Sequence, residues 1–441
     1  GAGIEPGSRV ALLARDTAAT VAVIHGVRRA GTVLVPLNRR AALPELQTQL
    51  AAIGVRSLVH DTEHADRAAA AVETAGGETV LQPVASLVVA GGAMPAGRPP
   101  PPPVDLDAPA TIMFTSGTTG LAKAAVLTHG NHLASAAAWA TRLEPHPTDR
   151  WLACLPLFHV GGLAMAIRAS RWGLPLDVHD GFDATAVSRA IESGVSHLSL
   201  VAVMLERLLH ARGSDPVPST LRAILLGGGP VSPGLLRRAS DHGLPVVTTY
   251  GLTETASGVV ADGRPLREVE LRIGEPGSDG VGEIQVRGPM VFAGYDGDPG
   301  ATAAVLAGGW LHTGDLGSVD ADGSLDVADR RDDLIVSGGE NVSPAEVEAV
   351  LGDHPAVIDA AVVGRADDRW GSVPVAIVVI RPGARISDED LARHCRDRLA
   401  GYKVPRAFRR VAALPRSPGG KLLRRDLRIG QERPSDAPRQ M

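Results

Sequence analysis

The chain has 441 residues, 44% of them hydrophobic and 21% charged, with a formal net charge of −5. That length suits one large domain plus a smaller one. The charge balance supplies no basic field for a nucleic acid, and no apolar run reaches the ~20 residues of a membrane span, so neither partner is expected. The two cysteines, Cys154 and Cys395, are far apart and outside any metal-ligand spacing. They predict buried free thiols in a reducing, cytoplasmic setting, and the N-terminus shows no signal-peptide pattern.

Residues 9–13 read as a short buried strand, residues 17–30 carry helical spacing up to Gly31, and residues 32–36 read as the next strand. A helix over 44–53 stops at Gly54 and a strand follows at 57–60. Strands alternating with helices predict βαβ units and a parallel sheet. The chain enters its first strand almost at Gly1, as though an N-terminal segment preceded it. Five consecutive prolines at 99–103 exclude helix and central strand and predict an exposed connector over 91–107. Beyond a strand at 111–114 the alternation resumes, with strands at 151–154, 197–200, 223–226 and 246–247 and helices at 162–171, 184–193, 201–212 and 232–241. Short Val-rich pieces between Gly/Asp turns over 265–328 predict a small antiparallel, barrel-like β part. A charged run at 329–333 marks a hinge. The expected fold is therefore α/β: a large domain over 1–329, a small α+β domain over 330–429, and a disordered tail over 430–441.

The densest segment runs from Thr115 through Ser116, Gly117, Thr118, Thr119, Gly120, Leu121 and Ala122 to Lys123. Glycines let a backbone approach phosphate closely, successive N–H groups form an anion nest, and Lys123 adds positive charge. Taken alone, such a run is more often a polar turn. A Walker loop needs Ser or Thr after its Lys, and Ala124 stands there, which disfavours a P-loop NTPase.

This segment resembles the phosphate-binding signature of the adenylate-forming enzymes, the family of acyl-CoA synthetases, luciferases and peptide-synthetase adenylation domains. Ala122 and Ala124 stand where that family usually has Pro and Gly. Further matches follow in the family's order across nearly the whole chain. Leu155–Gly162 is similar to the segment at the acyl pocket, where the resemblance implies that His159 lines and gates the carboxylate site. Gly227, Gly228, Gly229 and Pro230 are similar to the turn against the adenine. In Thr249–Thr255 the resemblance implies that Tyr250 stacks on the adenine, Thr253 contacts phosphate and Glu254 binds Mg²⁺. It gives Asp315 the ribose hydroxyls, Arg330 a ribose contact, Asp332 the hinge pivot, and Gly338 and Gly339 a loop beside the pantetheine. Lys421, on a late Gly-rich loop, becomes the catalytic lysine. Singly, most of these read as turn or surface residues.

The resemblance thus implies ATP, Mg²⁺ and coenzyme A as the small molecules used, a carboxylic acid as substrate, and an acyl-adenylate as intermediate. It also allows a homodimer. Bringing two anions together makes catalysis a matter of positioning and charge neutralisation, which Lys421 would supply by bridging carboxylate and α-phosphate. Residues 155–168, 226–230 and 243–250 resemble, more narrowly, the o-succinylbenzoate–CoA ligases of menaquinone synthesis. An aromatic dicarboxylate needs a polar or cationic contact deep in its pocket. His159, Gly162, Gly251 and Arg168 form the expected acid set, with Arg168 equally readable as a surface helix residue. Other aryl or fatty acyl-CoA synthetases, or an enzyme loading a carrier protein, would share most of these motifs.

Overall fold

Arg9–Leu13, Val33–Pro36 and Ser57–His60 are buried along almost their whole length, as parallel strands covered on both faces must be. The computed structural model describes residues 5–73, 79–88, 104–115, 122–229, 231, 233–278, 280–329, 335–415 and 427. The proline run, the 430–441 tail, and Ser116, Gly117, Thr118, Thr119, Pro230, Arg330, Asp332 and Lys421 lie outside those residues. The chain divides near residue 330 into two compact units.

The first unit holds two seven-stranded sheets and a five-stranded one. In the first sheet the strands at 9–13, 33–36, 57–60 and 80–83 pair in parallel, while Pro109–Thr115 and Lys123–Thr128 pair antiparallel, with Thr115 opposite Lys123. In the second, Val246–Leu252, Ala223–Leu226, His197–Leu200, Trp151–Ala153 and Leu176–Val178 lie side by side in parallel, in that order. The expected alternation is present, but the strand read as 246–247 extends to Leu252 and so carries part of the Thr249–Thr255 motif itself. Glu270–Gly274, Gly282–Arg287, Trp310–Val319 and Leu325–Asp329 form the antiparallel part.

The helix His129–Leu143 has no counterpart among the sequence expectations. Its start is fixed by a reciprocal cap, Asn131 N–H donating to Thr128 Oγ1 at 3.1 Å and Thr128 N–H donating to Asn131 Oδ1 at 2.8 Å. The helix read as 162–171 runs Val160–Trp172 and ends at Gly173 in the left-handed region. In the second unit an antiparallel hairpin, Val357–Asp367 against Gly371–Ile380, packs under Pro344–Gly352 and Asp388–Arg396. Both cysteines are buried free thiols, and burial pushes Cys154 up to about 12 and Cys395 up to about 11.

Candidate active site

Neighbouring parallel strands end side by side, and ligands of open α/β sheets sit outside those carboxyl ends. Leu226 lies opposite Thr248 on one side and Leu200 on the other. Gly227–Gly229 therefore leave the second sheet beside Thr249, where the neighbouring strand runs on to Leu252, and the Leu155–His159 segment follows a strand two places from the glycine turn along the same sheet. Thr249 Oγ1 donates to Leu226 O at 3.3 Å, which ties the motif to the glycine turn.

Only three tyrosines occur in the chain, and two of them hold the two candidate carboxylates. Tyr295 Oη donates to Glu254 Oε1 at 2.7 Å, and Tyr250 Oη donates to Asp315 Oδ2 at 2.8 Å. Burial, then the Glu254 charge, pushes the Tyr295 phenol far above its usual range, so it stays a donor. Tyr295 pairs in the first sheet with Ala125, and Lys123 Nζ sits 5.0 Å above its ring. Lys123 and Glu254, 131 positions apart in the chain, thus share one aromatic ring. Asp315 is 5% exposed. Its N–H donates to Thr313 Oγ1 at 3.1 Å, and that hydroxyl donates to Ile284 O at 2.6 Å.

After Glu254 the backbone reverses through Ala256 at φ 52° and Ser257 at φ 109°, both unusual for residues with a Cβ. The strands before and after the reversal press together at Gly251, where a Cβ would overlap Ser257 O and lie 2.6 Å from Gly258 Cα. Gly251 is needed for that close approach, which adds a structural demand to its expected place in the acid set. Two side chains of the helix His129–Leu143 hold the reversal: Ser135 Oγ donates to Ala256 O at 3.0 Å and Trp139 Nε1 donates to Gly258 O at 2.9 Å.

Three of the four residues expected at the acid lie on or at the start of Val160–Trp172, with His159 at its N-cap position and its ring 4.6 Å from that of Phe158. Gly162 lets this helix lie on the preceding turn, since a Cβ there would overlap the Pro156 carbonyl. Arg168 is 2% exposed, which removes the surface-residue alternative. Its Nη2 donates to Ser135 Oγ at 3.5 Å, its guanidinium lies 4.9 Å from the Trp139 ring, and its buried Nε has no hydrogen-bond partner. No carboxylate pairs with it among the described residues, and burial alone lowers it from 12.5 to about 9. Asp16, 4% exposed, accepts the Leu157 N–H at 3.2 Å, while Arg39 lies 3.5 Å from its other oxygen and binds Asp180 at 2.6 Å. Burial, partly offset by Arg39, raises Asp16 to about 6.

In the second unit Gly338 and Gly339 turn at φ 61° and 88°, between the strands Ile335–Ser337 and Glu340–Val342. Gly338 sits against Trp370, whose carbonyl accepts the Gly338 N–H at 2.8 Å.

The AMP-binding enzyme family model matches residues 1–296, two thirds of the chain, and the model of that family's C-terminal domain matches residues 346–421. This chain belongs to the AMP-binding enzyme family. Among curated members, the 2-succinylbenzoate–CoA ligase of Bacillus cereus is 40% identical over 97% of this chain and 89% of its own length. That of Geobacillus kaustophilus is 41% identical over the same shares. Among solved structures, o-succinylbenzoate CoA synthetase of Bacillus subtilis bound to a product analogue superposes with a TM-score of 0.88. It is 37% identical, covering 96% of this chain and 88% of that one. The amide bond synthetase McbA of Marinactinospora thermotolerans gives 0.86 at 31% identity, covering 97% and 90%.

Sequence reasoning missed Tyr295, Ser135, Trp139 and Asp16. Each acts on residues between 29 and 141 positions away, so no local spacing marks it.

Proposed function

We propose that this chain is an ATP-dependent carboxylate–CoA ligase that converts 2-succinylbenzoate to its acyl-adenylate, with release of pyrophosphate, and then to the CoA thioester, with release of AMP. The observation that carries it is Arg168, a buried guanidinium with no carboxylate partner among the described residues, on the helix that His159 begins. A cation left unpaired at such cost fits a substrate that brings its own anion. An acid with one carboxylate for chemistry and a second for recognition has that form.

The chain's own groups divide the first step between them. The acid carboxylate must attack the α-phosphate in line, so the two anions are held and screened rather than activated. Arg168 takes the distal carboxylate and His159 lies toward the reacting one. Thr115, Lys123 and Thr253 face the triphosphate, Gly227–Gly229, Thr249 and Tyr250 the adenine, and Asp315 the ribose. Glu254 fits a divalent cation: Oε1 is fixed by Tyr295, and Oε2 has no protein hydrogen bond among the described residues. Bound Mg²⁺ would neutralise triphosphate charge there, since it prefers a carboxylate together with phosphate oxygens. Ser116, Gly117, Thr118, Thr119, Pro230, Arg330, the pivot Asp332 and the catalytic Lys421 enter through the family resemblance, as do Gly338 and Gly339 beside the pantetheine. A cytoplasmic setting belongs to the same proposal, supported by the two unpaired thiols and by the lack of a membrane-spanning helix among the described residues.

The test is AMP release across a panel of acids, with CoA, a carrier-protein thiol or an amine as acceptor. Turnover is expected with 2-succinylbenzoate and CoA, and Lys421→Ala should lower adenylation at least ~100-fold. Equal rates with plain benzoate, or full adenylation by the Lys421 variant, would refute the assignment.

A further inference from the structure

Ser135 and Trp139 stand between the two halves of the site. Toward the acid end, Ser135 Oγ accepts from Arg168 Nη2 at 3.5 Å and the Trp139 ring lies 4.9 Å from the guanidinium. Toward the nucleotide end, the same hydroxyl donates to Ala256 O and the indole N–H donates to Gly258 O. Those carbonyls bracket the reversal at Ala256 and Ser257. Backbone in that region persists only where its surroundings over-determine it. Ser135 and Trp139 are 3% and 1% exposed, so no water replaces either bond freely.

We infer that Ser135 and Trp139 are positioning residues for both substrates: the indole ring face seats Arg168 for the acid, and the indole N–H, with the Ser135 hydroxyl, holds the backbone that aims Thr253 and Glu254 at the triphosphate. The inference rests on Arg168 being the acid contact. Neither residue touches substrate. One helix face thereby sets the separation of two anion-binding groups that come from different segments.

Two substitutions separate the limbs. Trp139→Phe keeps a ring beneath the guanidinium and removes the N–H, whereas Trp139→Leu removes both. In steady-state AMP formation, Trp139→Phe should raise the KM for ATP about fivefold, the net worth of one hydrogen bond, and leave the KM for 2-succinylbenzoate nearly unchanged. Trp139→Leu should raise both. A merely structural role would lower kcat through loss of folded enzyme and leave both KM values in place, and that result overturns the inference. Where the leucine variant does not fold, Ser135→Ala takes its place, with both KM values expected to rise and the same overturning outcome. Calorimetry of α,β-methylene-ATP binding reads the nucleotide limb with no acid present. Equal affinity in wild type and Trp139→Phe overturns the inference. A wild type that binds this analogue yet never turns over 2-succinylbenzoate overturns the substrate assignment instead.

Discussion

Arg168→Met should make the protein more stable and a far worse ligase for its dianionic acid. Burial lowers the guanidinium from 12.5 to about 9, which at 1.36 kcal/mol per unit is on the order of 5 kcal/mol of penalty for keeping it charged in place. What offsets this is small: a 3.5 Å hydrogen bond and a stack on Trp139, together about 1–3 kcal/mol. Methionine fills much of the same volume without the charge, so the ligand-free variant should gain about 1–4 kcal/mol, as other buried ions replaced by apolar groups do. The acid pays in the opposite direction. Losing one partner of a buried charge pair costs about 2–5 kcal/mol, a rise in KM for 2-succinylbenzoate of roughly 30-fold to several thousandfold. Calorimetric unfolding of the free enzyme and AMP release with 2-succinylbenzoate and benzoate measure both sides. A lower melting temperature combined with an unchanged KM, or equal losses for the two acids, would refute the reasoning.

Asp16→Asn keeps an acceptor for the Leu157 N–H and removes a buried charge. For an acid raised from 3.8 to about 6, the charged form is disfavoured in the fold, so stability is lost as pH rises through about 6 and is fully retained below 3.8. The asparagine variant should therefore be more stable than wild type by up to about 3 kcal/mol at pH 7.5. The gap should close by pH 4 in urea titrations, and a pH-independent difference would count against the assignment. Gly162→Ala forces a methyl into the Pro156 carbonyl and should cost about 1–3 kcal/mol, measured by urea unfolding, with a raised KM for the acid. Tyr295→Phe deprives Glu254 of its donor and should raise the Mg²⁺ concentration for half-maximal AMP formation on the order of tenfold. Identical Mg²⁺ curves would show that Tyr295 does not orient that carboxylate.

The strands were legible because a sheet covered on both faces demands short, continuous apolar runs, and residues 9–13, 57–60 and 223–226 supply them between Gly and polar turns. The motifs at 155–162, 227–229 and 249–255 were legible because each is contiguous. The helix His129–Leu143 escaped notice. Its apolar residues are mostly alanines, and its buried face carries His129, Asn131, His132 and Ser135, so no strong 3.6-residue stripe announces it. Arg168 looks the same in sequence whether it faces solvent or core, and only the packing of Trp139 against it decides. Tyr295 sits in a two-residue strand whose meaning comes from pairing with Ala125.

The bond between Tyr250 and Asp315 joins side chains 65 positions apart in the chain. It ties a phenol to one oxygen of a buried carboxylate, so neither group rotates without breaking the contact. Under the proposed function, ring and carboxylate are therefore set before a nucleotide arrives, and less side-chain ordering opposes its binding.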